Sequence, residues 1–128
     1  MGNSLSNQVF KAIKHNDLPK LQKCIEKGVN LNKENKLGIT PIEYAITLGN
    51  YHIIRELVIN GVELNRKFGH SKMTPLHFAV HFKNFDVIVL LTNNGSKVNI
   101  TDANGETPID LARMYELNDI VEYLLMFE

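Results

Sequence analysis

Apolar residues recur along this chain at helical spacing, in short blocks separated by Gly and Asn. Leu18, Leu21, Cys24 and Ile25 form one block, Ile53, Ile54, Leu57 and Val58 another, and Val87, Ile88, Leu90 and Leu91 a third. Residues three and four apart share a helix face, so each block predicts a short amphipathic helix with one buried stripe. Asn50 and Asn84 stand before two of these helices, and Asn118 or Asp119 before a further one, as N-cap candidates. Gly61 and Gly95 follow as residues that end a helix in the left-handed conformation, which glycine adopts at little cost.

A second set of short helices is announced by a repeated phrase. Thr40-Pro41-Ile42-Glu43, Thr74-Pro75-Leu76-His77 and Thr107-Pro108-Ile109-Asp110 recur at offsets of 34 and 33 residues, each followed at equal distance by Ala45, Ala79 and Ala112. Thr supplies an N-cap oxygen, and Pro takes the first helical position, where a missing N–H is harmless. Glu43 and Asp110, three residues after Thr, suit a reciprocal capping box, most closely at Glu43. Alanine in mid-helix lets a neighbouring helix approach closely. Gly28, Gly61 and Gly95 keep the same period, with Asn32, Asn65 and Asn99 trailing them. The predicted unit is helix, turn, helix, then an extended loop.

The period and these words resemble the ankyrin repeat, whose pattern runs D-x-x-G-x-T-P-L-H-x-A, then G-H-x-x-I-V-x-L-L, then G-A-x-x-N. Asp102-Ala103-Asn104-Gly105-Glu106-Thr107-Pro108 matches the opening almost fully, and Asn35-Lys36-Leu37-Gly38-Ile39-Thr40-Pro41 replaces Asp by Asn. Counting back one period from Ala45 reaches Ala12, so a capping repeat without the Thr-Pro opening precedes the three full ones. The expected fold class is an all-α ankyrin-repeat solenoid with β-hairpin-like loops. A flexible tail over residues 1–7 would precede one domain at 8–128, with repeats near 8–34, 35–67, 68–101 and 102–128. Such a stack buries the face each repeat turns to its neighbours, while loop tips and first helices stay free.

The resemblance implies a protein-interaction module, an adaptor, scaffold or inhibitor, that binds through that concave face. Its exposed positions fall here on Lys36, Leu37, Ile39 and Leu48; on His70, Ser71, Met73, His81 and Phe82; and on Ala103, Asn104, Glu106, Met114 and Tyr115. Much of that set is apolar, and aromatic and Met anchors are enriched at interface cores. The alternative for each residue is packing against its own loop. The third repeat departs from the pattern: Asn65 to Thr74 is one residue longer than Asn99 to Thr107, and Gly69 and Lys72 stand at the Asp and Gly positions. Arg66, Lys67, His70 and Lys72 surround Phe68, which reads as a basic finger with an apolar tip for an acidic partner, or else as a solvated loop with an incidental insertion.

Composition narrows the class. Fourteen basic and fourteen acidic residues cancel, without the basic footprint of a nucleic-acid binder. The charge is uneven, with +4 over residues 1–36 and −6 over 101–128. One cysteine, Cys24, forms no internal disulfide and reads as a buried small hydrophobe in a reducing cytoplasm. No run of about 18 apolar residues is present. No cofactor motif occurs: the glycines fall at helix ends, and neither phosphate-loop, nucleophile-elbow nor H-E-x-x-H spacing exists. The expectation is a non-enzyme. His77 and His81 lie one helical turn apart, a chelating spacing, yet His77 is the family's structural histidine and no acid or Cys completes a metal set; a sensor using His70, His77 and His81 is the remote alternative.

Met1-Gly2-Asn3-Ser4-Leu5-Ser6 matches the myristoylation pattern, making Gly2 a lipidation candidate. Lys11, Lys14, Lys20, Lys23 and Lys27 would supply the second membrane signal that one acyl chain needs. The alternative is a plain tail in which Ser6 caps the first helix. The apolar end Leu124-Leu125-Met126-Phe127 either packs inward or pairs with another copy, and a monomer is expected.

Overall fold

A computed structural model describes residues 4–128, so Gly2 lies outside the described residues. Eight helices follow one another, in pairs: α1 Leu5–Lys14 with α2 Leu18–Glu26, α3 Pro41–Leu48 with α4 Tyr51–Ile59, α5 Pro75–His81 with α6 Phe85–Asn93, and α7 Pro108–Met114 with α8 Asn118–Leu125. No strand joins them among the described residues; the single antiparallel bridge pairs Phe68 with Met73. The chain is all-α, as the repeat pattern implied.

Packing divides the chain into two compact units, one ending at Glu63 and one beginning at Leu64. In the first, α1 lies against α3 and α2 against α4; in the second, α5 lies against α7. Ala12 and Ala45 are fully buried in the first unit, and Ala79 and Ala112 in the second. A larger side chain at any of them would separate the paired first helices. Leu21, Ile53, Ile54 and Leu57 fill the first core, and Leu76, Ile88, Leu91 and Leu124 the second. Each such burial is worth roughly 1.5–3 kcal/mol.

The Thr-Pro openings form as capping chemistry requires. Thr40, Thr74 and Thr107 are N-caps whose side chains accept from Glu43, His77 and Asp110 N–H, with Pro at the first helical position. The reciprocal box closes at Thr74–His77 and Thr107–Asp110 rather than most closely at Glu43. Burial pushes the Glu43 carboxyl above its ordinary range, against the Thr40 N–H and together with the Glu34 charge, and its Oε1 is buried without a hydrogen-bond partner. Second helices end as their glycines required: the Gly61 N–H donates to Val58 O at 3.2 Å and the Val62 N–H to Leu57 O at 3.4 Å, with Gly61 at φ +87°.

Two helix starts differ from the sequence expectation. Ser4, not Ser6, caps α1, its side chain accepting from Asn7 N–H, so the helix takes in residues assigned to the tail. Leu117 is the N-cap of α8 and Asn118 its first helical residue, leaving that helix without a side-chain cap bond. The apolar end splits: Leu124 is buried, while Leu125, Met126 and Phe127 are exposed.

Candidate functional site

The second unit carries a groove built from two loops and two first helices. His70, Ser71 and Met73 come from the loop before α5, and Asp102, Ala103, Asn104 and Glu106 from the loop before α7; His81 ends α5, and Leu111, Met114 and Tyr115 belong to or follow α7. The groove encloses about 470 Å³, within the ~300–1,000 Å³ over which proteins hold ligand-sized groups. One backbone bond ties the loops together, the Ala103 N–H donating to Ser71 O at 2.8 Å.

Each loop is shaped by its own residues. Asp102 Oδ1 accepts from Asn104 and Glu106 N–H at 2.9 and 3.0 Å, while the Asp102 N–H closes on Glu106 O at 2.8 Å. Asn35 performs the same task in the first unit, accepting from Leu37 and Ile39 N–H. In the loop before α5 the closure runs from Phe68 N–H to Met73 O at 2.8 Å, one residue longer than in the other two. That extra residue is the insertion counted in the sequence, and Lys72 takes up the left-handed turn at φ +56°.

The insertion corrects one expectation outright. Phe68 is only 4% exposed, its ring stacked on Phe78 at 6.2 Å between centroids, so it is not the apolar tip of a finger. The loop closure begins at Phe68, so the place that Asp102 and Asn35 hold in the other loops falls here on Phe68 and not on Gly69. Arg66 follows it, its guanidinium carbon 5.8 Å from the Phe68 centroid, a cation–π distance. Lys67, His70 and Lys72 remain exposed around it.

Of the other candidates, Met73 and Glu106 are half-buried in the groove wall, and His81, Asn104, Met114 and Tyr115 are exposed, Met114 to 59%. His81 Nδ1 lies 3.1 Å from the Tyr115 hydroxyl, and its ring packs edge-on to exposed Phe82 at 5.1 Å. His81 thus contacts the rings of both Tyr115 and Phe82. Lys36, Leu37 and Leu48 are exposed and Ile39 half-buried in the first unit; Leu37 and Ile39 line a smaller groove there, which Lys36 and Leu48 do not.

Phe10, Asn35 and Asp102 line the grooves although the sequence reading did not offer them as contacts, and two further lining residues share one register. Tyr44 lies 5.8 Å from Phe10 in the first unit's groove, and Leu111 lines the second's. Both immediately precede a shared alanine, a register that marks the helix side turned toward the loops; Phe78, under Phe68, stands there too.

His77 is fully buried. Its Nδ1 accepts from Thr74 N–H at 3.1 Å and lies 2.8 Å from Thr74 Oγ1, while Nε2 lies 2.8 Å from Glu106 O. This set suits the neutral imidazole with its proton on Nε2. Burial holds His77 below the ordinary histidine range, although the Glu106 carbonyl and the Asp102 charge oppose the shift. With both nitrogens occupied, His77 has no lone pair for a metal shared with His81. No group of three His, Cys, Asp or Glu side chains able to hold a metal forms among the described residues, and no helix there is long and apolar enough to cross a membrane.

A family model for ankyrin repeats in three copies matches residues 9–102 and 68–128. The chain is also similar to alpha-latrotoxin-Lg1a of Latrodectus geometricus, 36% identical over 119 residues. That stretch is 91% of this chain and 9% of the toxin, so the chain spans less than a tenth of the relative it matches. With the repeat model matching nearly its whole length, the chain belongs to the ankyrin-repeat family, whose repeats serve as protein–protein interaction modules.

Proposed function

We propose that this chain is an adaptor or inhibitor that holds one protein partner in the groove of its second unit. The reading rests on Met73, Met114, Tyr115 and His81, which line one cleft beside the basic loop residues Lys67, His70 and Lys72. Tyr115 gives a partner rigid amphipathic contact area at low entropic cost, and the flexible Met73 and Met114 adapt their shape to what binds. Lys67 and Lys72 favour acidic residues at the rim of the bound segment.

A photoreactive phenylalanine analogue placed at Met114, and separately at the exposed Glu122 on α8, tests the assignment in cells that make the protein. The expected result is one discrete cross-linked adduct from position 114 and none from 122. Adducts of equal yield from both, or none from 114, would remove the groove as the docking face.

A lipid-tethered form of this function rests on the Gly2 motif and on exposed Lys11, Lys14, Lys23 and Lys27. Flotation with anionic liposomes that is unchanged by Gly2→Ala in cell-made protein would dispose of it.

A further inference from the structure

The first unit has a groove of its own with different chemistry. Phe10 and Tyr44 form an aromatic pair at 5.8 Å, Leu37 and Ile39 supply the loop side, and Lys11 and Lys14 are the charged residues that line it. Its volume, about 270 Å³, falls below the ~300–1,000 Å³ of small-molecule sites and suits one or two side chains of a polypeptide. Leu37 is 82% exposed, an exposure that its own unit does nothing to relieve.

We propose that this groove binds an acidic peptide segment of a protein partner, seating a Leu or Phe side chain on Phe10, Tyr44 and Leu37 and setting carboxylates against Lys11 and Lys14. The charge argument is specific. No carboxylate lines the groove. Lys11 and Lys14 are exposed, and neither ammonium has an ion-pair partner among the described residues. Lys36, exposed beside Leu37, adds a third cation, and residues 1–36 carry a net +4. The second unit's groove differs in having Asp102 and Glu106 in its lining.

Apolar anchors supply the affinity of such a site, and the lysines supply selectivity and encounter rate, an effect that salt screens. Because the site belongs to the first unit, its test reads separately from cross-linking at Met114.

A random peptide library displayed on phage is selected against the full chain, and enriched peptides are measured by fluorescence anisotropy against wild type, Lys11→Glu/Lys14→Glu and Leu37→Asp. All three positions are exposed, so the variants keep the core, which circular dichroism checks. The expected consensus places acidic residues beside Leu or Phe. Binding should weaken about tenfold in each variant, and in wild type as salt rises. Enrichment of basic or neutral peptides, binding that survives either variant, or no enrichment at all overturns the proposal.

Discussion

His77 Nε2 meets the carbonyl oxygen of Glu106 at 2.8 Å, joining the start of α5 to the loop before α7 across 29 residues of sequence. The same ring closes the α5 capping box through Nδ1. One buried imidazole thus fixes both a helix start and the loop that walls the groove. His77→Ala leaves Glu106 O and Thr74 N–H without this partner and opens a cavity, and should cost about 2–4 kcal/mol. Urea unfolding followed by far-UV circular dichroism measures it; a cost below about 1 kcal/mol would mean water replaces the ring.

The same histidine makes stability depend on pH. Its folded pKa lies below the ordinary 6.5, so the unfolded chain binds the proton more readily. Stability therefore rises with pH across this window. It should be full above about pH 6.5, decline as pH falls toward the folded value, and level off below it. His77→Gln, which keeps an acceptor for Thr74 N–H, should flatten that slope. Melting temperatures at a series of pH values compare the two proteins, and equal slopes would assign the dependence elsewhere.

Glu43 acts with the opposite sign. Its folded pKa is raised above 4.5 by burial, so the folded chain holds the proton more tightly. The resulting stability is present below about pH 4.5 and lost as pH rises through the folded value. Glu43→Gln should therefore melt higher than wild type at neutral pH, with the gap closing in acid. A gap of the same size at both pH values would show that packing, and not charge, separates them.

What the sequence made legible is what short-range chemistry decides. Thr-Pro openings and the terminating Gly61 and Gly95 act within one helical turn, and all form as read. Phe68 was misread because its burial depends on the Phe78 ring, ten residues away, and on a loop closure shifted by the insertion. Tyr44 and Leu111 were missed because the family's variable positions were carried over as a list, whereas groove lining follows helix rotation. The candidates that did gather, His70, Met73, His81, Asn104, Glu106, Met114 and Tyr115 among them, lie at fixed distances from the Thr-Pro helix starts that the sequence announced.

Strain offers a route to a more stable chain. Lys83 and Glu116 end α5 and α7 in the left-handed conformation, both at φ +57°, where Gly49 ends α3 at +77°. A side chain there costs about 1–2 kcal/mol, and glycine returns roughly 0.4–1 kcal/mol of that as unfolded-state entropy. Lys83→Gly and Glu116→Gly should each stabilise by about 0.5–1 kcal/mol and, lying on separate helices, should add. Calorimetry of the singles and the double checks both statements.

The trailing asparagines have a task that spacing alone did not disclose. Asn65 Nδ2 donates to Gly95 O at 3.1 Å and its Oδ1 accepts from Lys97 N–H at 2.7 Å, so one side chain clips the loop after α6 to the start of the second unit. Asn32 makes the corresponding bond in the first unit, accepting from Glu63 N–H at 2.9 Å. Both sites are wet enough that water replaces part of what is lost, so Asn65→Ala should cost about 1–2 kcal/mol. Asn65→Asp keeps the acceptor for Lys97 N–H and sets a carboxylate against the Gly95 carbonyl, which should cost as much or more. Hydrogen exchange separates the two substitutions: the Lys97 amide should lose protection in Asn65→Ala and retain it in Asn65→Asp. Equal protection in both would mean that the loop is held by the surrounding packing and not by the amide clip.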